Sequence, residues 1–137
     1  MNAKRILLVD DEVDFTTSLS RLLLNRGYEV EAVSSGKAAL KYLGVAPFDA
    51  VVLDLKMPGM DGITTLDEIQ QLGLFTQTVI LTGYGTEETA MRARSMGAHD
   101  FLSKPVDLDI LLESIESAIH KKTRIERTTD LDQMIRS

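Results

Sequence analysis

The sequence predicts an α/β domain built on a parallel sheet. Short runs rich in Val, Ile and Leu alternate five times with longer stretches in which apolar residues recur at the 3.6-residue period of a helix. This alternation is typical of parallel sheets, because a crossover between parallel strands is long enough to hold a helix. The chain has 137 residues, which is the length of a single domain.

The apolar runs predict five strands, at about residues 5–9, 28–33, 50–54, 78–82 and 99–103. The second run differs from the others because Glu29 and Glu31 alternate with apolar neighbours. Alternation of this kind indicates a strand with one face or one edge in water. We therefore expect the second strand at the edge of the sheet.

The helical stretches between the strands vary in clarity. The first helix is predicted from an apolar face that ends before Gly27 and comprises Phe15, Leu19, Leu22 and Leu23. Weaker patterns cover about residues 36–45, 63–72 and 87–96. Each of these segments lies between two predicted strands, so the helices are expected to cover the sheet.

The last helix begins after Asp107, which can cap it. Its apolar face comprises Leu108, Leu111, Leu112, Ile115, Ala118 and Ile119. We expect the helix to end near Lys122, because Thr128-Thr129-Asp130 breaks the pattern, with one more short amphipathic turn at most around Leu131, Met134 and Ile135. The predicted domain is therefore 1–122, and residues 123–137 form a C-terminal tail, as a helix extension or a linker.

Composition excludes several classes of function. The net charge is −6, and residues 123–137 carry equal numbers of basic and acidic side chains, so the acidic excess lies in the domain and disfavours binding to nucleic acid phosphates. The absence of cysteine excludes disulfides, thiolate metal sites and cysteine nucleophiles. Apolar runs are far shorter than the ~20 residues of a membrane span, and no secretory segment is apparent. We expect a cytoplasmic protein that does not enter a membrane.

Polar side chains occur where four of the predicted strands end. Asp10 and Asp11 follow the first strand, Asp54 the third, Thr82 the fourth, and Lys104 the fifth. The carboxyl ends of parallel strands meet at one edge of the sheet, where ligands of such folds bind. These side chains should therefore converge into an acidic cluster, with the Thr82 hydroxyl and the Lys104 ammonium beside it.

An acidic cluster of this kind predicts a divalent cation. Two carboxylates about 5 Å apart repel each other by roughly 3 kcal/mol at an effective dielectric constant of 20. Mg²⁺ would offset this repulsion, because it prefers oxygen ligands and keeps several waters. Singly, each Asp is as readily explained as a loop cap, Thr82 as a turn residue and Lys104 as a solvated charge. The Mg²⁺ interpretation depends on their convergence.

Over residues 4 to about 121 the sequence resembles the receiver domain of bacterial two-component response regulators. The residues that carry the resemblance are Asp10-Asp11, the run from Asp54 to Gly62 (Asp-Leu-Lys-Met-Pro-Gly-Met-Asp-Gly), Thr82-Gly83, Phe101 and Lys104-Pro105. The resemblance implies a flavodoxin-like, doubly wound parallel sheet of five strands in the order 2-1-3-4-5, with five helices. This order agrees with an edge position for the second strand.

The resemblance also implies a role for each site residue. Asp54 would accept a phosphoryl group from a phosphohistidine on a sensor histidine kinase, and Lys104 and Thr82 would contact that group. Asp11 and Asp54 would bind Mg²⁺ directly, Asp10 through water, and the backbone carbonyl of Lys56 would be a further ligand. The protein would then be a signalling domain that catalyses only its own phosphorylation and dephosphorylation.

Signalling in this family couples Thr82 to Phe101 and changes the face formed by the fourth helix, fifth strand and fifth helix. That face would contact a downstream protein or effector domain, or a second copy in a homodimer. The resemblance further implies a cis Lys104–Pro105 bond and a role for Lys56 and Tyr84 in setting the rate of aspartyl-phosphate hydrolysis. Gly59 and Gly62 fit a turn that needs permissive backbone angles.

Three alternative functions compete with this one. A phosphohydrolase of the haloacid dehalogenase type would also use a nucleophilic Asp and Mg²⁺, but it needs a second Asp where Lys56 stands. A flavodoxin-like cofactor binder would need a first loop rich in Ser, Thr and Gly, whereas this loop is Asp10-Asp11-Glu12. A receiver-like interaction module that works without phosphorylation is the remaining alternative.

Overall fold

The structure is a computed structural model that describes residues 3–57, 59 and 61–136, in which five strands alternate with five helices. The strands are β1 (Arg5–Val9), β2 (Glu29–Val33), β3 (Ala50–Leu53), β4 (Gln77–Thr82) and β5 (Asp100–Ser103). The helices are α1 (Val13–Asn25), α2 (Gly36–Leu43), α3 (Gly62–Gln71), α4 (Glu87–Ser95) and α5 (Leu108–Arg136). All ten elements lie close to the predicted positions, and only α5 differs substantially in length.

The five strands form one parallel sheet in the order β2-β1-β3-β4-β5. The predicted fold class and strand order are thereby confirmed, and β2 lies at an edge as its alternating sequence indicates. Val9 is paired with both Val33 and Leu53, while Thr82 is paired with Ser103. Because the register is close, the residues that follow these strands emerge at one edge of the sheet.

Helices cover both faces of the sheet and enclose two hydrophobic cores. Helices α1 and α5 pack over one face, where the largest fully buried residues include Ile6, Leu8, Leu23, Leu81 and Ile115. Helices α2, α3 and α4 pack over the other, where they include Leu7, Phe48, Leu53, Leu66 and Ile80. Successive strand residues point to opposite cores, so Ile6 and Leu7 belong to different ones.

The prediction is wrong for one core residue of α1. Leu22 is 42% exposed, and the buried positions of the helix are Thr16, Leu19 and Leu23. These positions form a narrower face than the predicted one, and Leu22 lies at its flank, in a shallow groove that Val106 and Leu108 also line. The periodicity of the sequence does not show how much of the α1 surface is buried, because that depends on how α5 packs beside it.

The predicted end of the last helix is also wrong, because α5 continues without interruption from Leu108 to Arg136. The hydroxyls of Thr123 and Thr128 donate to the carbonyls one turn earlier, at Ile119 and Arg124, so both threonines are accommodated within the helix. Lys122 and Glu126 form an ion pair at i, i+4. The predicted break at Thr128-Thr129-Asp130 is therefore absent.

Among the residues that the structure describes, no helix is both long enough and apolar enough to cross a bilayer.

Candidate functional site

Two buried aspartates lie at the carboxyl edge of the sheet. Asp10 directly follows β1 and is 5% exposed, and Asp54 directly follows β3 and is 3% exposed. Each carboxylate accepts a backbone N–H two residues later: Asp10 Oδ1 from Glu12 at 3.0 Å, and Asp54 Oδ1 from Lys56 at 3.3 Å. These short loops hold both carboxylates at the edge, and they leave the Oδ2 atoms turned toward a common cation.

That cation is the ammonium of Lys104, which β5 delivers to the same edge. Its Nζ lies 2.6 Å from Asp10 Oδ2, 3.0 Å from Glu12 Oε1 and 3.7 Å from Asp54 Oδ2. The Lys104 side chain is only 14% exposed, and its Nζ also lies 4.3 Å from the centre of the Phe15 ring. The predicted cis peptide bond is present between Lys104 and Pro105. The structure therefore brings Asp10, Asp54 and Lys104 together, as the strand ends predicted.

Burial and charge act in opposite directions on this cluster. Burial raises the pKa of Asp10 above its usual value, while the hydrogen bonds from Lys104 and from the Glu12 N–H offset part of that rise. For Lys104, burial lowers the pKa, but the hydrogen bonds to Asp10 and Glu12 and the nearby Asp54 charge outweigh it, so the pKa is raised. The ammonium therefore stays charged, and the cluster is short of positive charge.

Glu12 occupies the position in the cluster that was expected for Asp11. Carboxylate oxygens of Asp10, Glu12 and Asp54 lie within 4.8 Å of one another, whereas Asp11 is exposed and lies outside this group. Sequence reasoning missed Glu12, although its signal was present as the third acid in the run after β1. The role of Asp11 as a metal ligand stays a prediction.

Two further residues of the site were expected only in the core or not at all. The Phe15 ring belongs to α1 and was assigned to its apolar face, yet the ring also borders the Lys104 ammonium. Gly85, in the loop after β4, adjoins the Phe101 ring so closely that a Cβ on Gly85 would come within 2.7 Å of Cε1 of that ring. No sequence pattern of ours singled out either contact, because both depend on packing between separate elements.

Thr82 and Phe101 lie on the neighbouring strands β4 and β5. Thr82 is fully buried, and its Oγ1 accepts the backbone N–H of Tyr84 at 3.2 Å, while its carbonyl accepts the N–H of Lys104 at 2.9 Å. Phe101 is half-buried and packs against the core beneath α4. A Cβ on Gly85 would meet both the Phe101 ring and the Thr82 methyl group, so Gly85 adjoins the two side chains.

Lys56 and Tyr84 meet above the ends of β3 and β4. The Lys56 ammonium lies 4.0 Å from the centre of the Tyr84 ring, and both side chains are exposed. Together with Asp61, Ile63, Thr89 and Arg92 they line a groove of about 300 Å³ beside the site. The contact bridges two loops, since Lys56 follows β3 and Tyr84 follows β4.

The two glycines predicted for the turn after β3 serve different purposes. Gly59 has a φ of 83°, so it needs the backbone freedom that was expected. Gly62 does not have positive φ, and its requirement is space: a Cβ there would come within 2.7 Å of the Asp54 carbonyl oxygen and would overlap the Leu55 backbone. Pro58 and Met60, which belong to the same motif, lie outside the described residues.

The donor set of the cluster is suitable for Mg²⁺. It consists of carboxylate oxygens from Asp10, Glu12 and Asp54, grouped closely enough to share one ion, and hard divalent cations prefer such oxygen ligands. The two buried members carry more negative charge than the Lys104 ammonium offsets. The residues present therefore fit a divalent cation.

Comparison with known protein families agrees with this geometry. A family model described as the response regulator receiver domain matches residues 6–116. Among solved structures, a response regulator receiver domain protein (CheY-like) from Methanospirillum hungatei JF-1 aligns with a TM-score of 0.86 at 29% identity, covering 90% of this chain and 98% of that one. NtrX from Brucella abortus aligns with a TM-score of 0.87 at 32% identity, covering 95% of this chain and 30% of that one.

The curated relatives are longer proteins. The chain is 40% identical over 124 residues to the transcriptional regulatory protein ZraR of Escherichia coli (strain K12), covering 90% of this chain and 28% of ZraR. It is 34% identical over 131 residues to the regulatory protein AtoC of the same organism, covering 96% of this chain and 28% of AtoC. The chain thus spans little more than a quarter of either relative. A family match over most of the chain, together with the parallel sheet and its acidic edge, shows that the chain belongs to the response regulator receiver domain family, the signalling domains of two-component systems.

Proposed function

We propose that Asp54 accepts a phosphoryl group from a phosphohistidine of a sensor histidine kinase in a Mg²⁺-dependent reaction. A carboxylate oxygen of Asp54 forms a bond to phosphorus as the bond between phosphorus and the histidine nitrogen breaks, and the imidazole leaves. The observation that carries this proposal is the placement of Asp54, which is 3% exposed with its Oδ2 3.7 Å from the Lys104 ammonium.

In this proposal the chain's own residues orient and neutralise the transferred group. The Lys104 ammonium would offset negative charge on the phosphoryl oxygens, and the Thr82 hydroxyl, which accepts the Tyr84 N–H, would donate a hydrogen bond to one of them. Mg²⁺, when bound, supplies positive charge beside the same oxygens. Its proposed ligands are Asp11 and Asp54, Asp10 through water, and the backbone carbonyl of Lys56.

Phosphorylation would alter the face formed by α4, β5 and α5 through Thr82 and Phe101. The Phe101 ring has no hydroxyl with which to form a hydrogen bond. Its position can therefore respond to phosphorylation only through its packing against Gly85 and the core. The partner at this face would be a downstream protein or effector domain, or a second copy of the domain. ZraR is named as a transcriptional regulatory protein, and we propose that this receiver likewise controls an output of that kind from the cytoplasm, without contacting nucleic acid itself.

The proposal is tested by treating the protein with acetyl phosphate, with Mg²⁺ or with EDTA, and measuring intact mass. We expect the mass increment of one phosphoryl group only with Mg²⁺, and none in Asp54→Asn. Asp109→Asn, an exposed carboxylate on α5, is the matched control and should be labelled like the wild type. Equal labelling of Asp54→Asn would contradict the assignment, and failure of the wild type to be labelled would favour an interaction module that acts without phosphorylation.

The proposed metal ligands are tested separately by calorimetric titration with Mg²⁺. We expect Asp11→Asn to weaken Mg²⁺ binding by about tenfold or more. Mutation of a residue that only supports a metal ligand typically lowers metal affinity by about tenfold, and loss of a direct ligand should lower it at least as much. Glu12→Gln should have a smaller effect, because Glu12 is already paired with the Lys104 ammonium. The reverse order would assign Glu12, and not Asp11, to the metal.

A phosphohydrolase is the weaker candidate. The side chain two residues after Asp54 is Lys56, whose ammonium is held over the Tyr84 ring, so this position offers no carboxylate to act as a general acid or base. Slow loss of the phosphoryl group from Asp54, with no turnover of small phosphate esters, is the expected behaviour. Turnover of such an ester by the wild type but not by Asp54→Asn would favour the phosphohydrolase instead.

A further inference from the structure

The Lys104 ammonium lies over the face of the Phe15 ring, 4.3 Å from the ring centre. The same ammonium lies 2.6 Å from Asp10 Oδ2, 3.0 Å from Glu12 Oε1 and 3.7 Å from Asp54 Oδ2. The Lys104 side chain is 14% exposed, so water reaches little of it. An aromatic ring and three carboxylates therefore share one largely desolvated cation.

These contacts do not favour the proposed phosphoacceptor equally. The ammonium lies closest to the two acids that follow β1, Asp10 and Glu12, and farther from Asp54, on which the phosphoryl group would be formed. Lysine has a flexible four-carbon stem, so the acids after β1 can draw its ammonium away from Asp54. A displacement of about 1 Å can slow a reaction that depends on positioning by about a hundredfold.

The three carboxylates are also the groups that a divalent cation would engage. Oxygens of Asp10, Glu12 and Asp54 lie within 4.8 Å of one another, and hard cations prefer such oxygens. An ion there would occupy oxygens that now face the Lys104 ammonium. The Phe15 ring has no oxygen, so its contact with the ammonium does not compete with the ion. The ring is therefore a partner that can hold Lys104 with or without the ion.

The Phe15 ring is itself held in place by apolar neighbours. It is half-buried and packs against the core that α1 and α5 form with the sheet. Together with Leu19, Val106 and Leu108, the ring lines a small apolar groove between α1 and the segment after β5. Val106 and Leu108 follow Lys104 closely in the chain. The ring and the backbone of Lys104 are therefore fixed by the same part of the fold.

An aromatic ring can attract a cation, whereas an aliphatic side chain cannot. The face of the ring carries the negative part of its quadrupole, and the attraction is stronger where water is excluded. From the sequence, Phe15 belongs to the apolar face of α1, where a leucine would serve as well. Its position beneath the Lys104 ammonium gives the ring a role that leucine cannot fill.

We propose that Phe15 is a positioning residue for phosphoryl transfer to Asp54, because its ring holds the Lys104 ammonium beside the phosphoacceptor through a cation–π contact. This role rests on the proposed function of Asp54. The Phe15 side chain has no group that could bond to the phosphoryl group or to Mg²⁺, so its effect passes through Lys104. Changes at Phe15 should therefore alter the rate of phosphorylation and leave the affinity for Mg²⁺ close to that of the wild type.

The role of the ring is tested by replacing Phe15 in the 137-residue protein with phenylalanines that carry one, two or three ring fluorines. Fluorine withdraws electrons from the ring face and weakens its attraction for a cation, while the shape of the side chain hardly changes. The rate of phosphorylation by acetyl phosphate with Mg²⁺ is measured by intact mass. We expect the rate to fall with each fluorine, to about one-fifth of the wild-type rate with three, the equivalent of ~1 kcal/mol. A constant rate along the series would overturn the proposal.

A pair of leucine variants separates this role from packing. Phe15→Leu keeps an apolar side chain but should slow phosphorylation by about fivefold, since the attraction for the ammonium is lost. The matched control Phe75→Leu makes the same change in a partly exposed ring before β4, and it should be phosphorylated at the wild-type rate. A rate for Phe15→Leu equal to that of the wild type would contradict the role of the ring. The fluorinated series gives the same test without a change in side-chain volume.

A second measurement needs neither metal nor phosphodonor. In the metal-free protein, the ring current of Phe15 should shift the NMR signals of the Lys104 ε-methylene protons upfield, and these signals should move downfield in Phe15→Leu. Identical signals in the two proteins would overturn the contact itself. If the ring shift is present but the wild type is not phosphorylated, the proposed function of Asp54 fails, and the role of Phe15 in transfer fails with it. Phosphorylation at a constant rate along the fluorinated series would remove the role of Phe15 alone.

Discussion

The Lys56 ammonium lies 4.0 Å from the centre of the Tyr84 ring, so a cation–π contact joins the loop after β3 to the loop after β4. These are the loops that follow Asp54 and Thr82, the proposed phosphoacceptor and its hydroxyl partner. The Lys56 backbone N–H also donates to Asp54 Oδ1. We therefore expect the pair to restrict how freely water approaches a phosphoryl group on Asp54.

Loss of this contact should shorten the lifetime of the aspartyl phosphate. We expect Tyr84→Ala to raise the hydrolysis rate by about two- to fivefold, the equivalent of the 0.5–1 kcal/mol of an exposed cation–π pair. Tyr84→Phe keeps the ring and should stay near the wild-type rate. The measurement is the decay of acid-labile phosphate after removal of the donor. Equal rates in Ala and Phe variants would show that the ring does not protect the group.

Gly62 should be required for stability as well as for the site. In Gly62→Ala the new Cβ would overlap the Leu55 backbone, so the turn after Asp54 has to shift. We expect the free energy of unfolding to fall by about 1–3 kcal/mol, which is typical of overpacking. Gly44→Ala is the matched control, because Gly44 ends α2 at φ −75° with ordinary space around it. Urea denaturation of both variants measures the difference, and similar losses in the two would contradict the steric argument.

Lys104 should stabilise the metal-free domain. Lys104→Met leaves the buried Asp10 and Asp54 without their cation, and we expect the free energy of unfolding in EDTA to fall by about 3 kcal/mol, as for other broken buried pairs. Excess Mg²⁺ should reduce this difference, since it supplies charge to the same carboxylates. Lys37→Met, on the exposed surface of α2, should change stability little. A variant as stable as the wild type in EDTA would show that Asp10 takes up a proton instead.

His99 should make the domain less stable in mild acid. Burial, with Lys121 and Arg124 nearby, holds the pKa of His99 below its usual 6.5, against the opposing effect of Asp100. A histidine whose folded pKa is lowered contributes stability above its unfolded pKa, and that contribution is lost as the pH falls through the folded value. We expect the free energy of unfolding to fall between pH 7 and pH 5 by more in the wild type than in His99→Gln. Parallel pH profiles of the two proteins would contradict this assignment.

Much of the fold was determined by the sequence, because its signals are local. Val-rich and Leu-rich runs of strand length, alternating with helical periodicity, predicted the parallel sheet, and Glu29 and Glu31 marked β2 as an edge strand. The placement of Asp10, Asp54 and Lys104 directly after their strands predicted that they would meet. The carboxyl ends of parallel strands all lie at one edge of the sheet, so a residue that directly follows a strand can be placed at that edge from the sequence.

The tertiary structure decided what depends on packing between distant segments. It placed Glu12 rather than Asp11 against the Lys104 ammonium, put the Phe15 ring beside that ammonium, and set Gly85 against Phe101. It also extended α5 through Thr128 to Arg136, with Lys122 held by Asp49 from more than seventy residues earlier in the chain. Rotamers and ion pairs of this kind depend on which side chains share a space, and that space exists only once the sheet and its helices have come together.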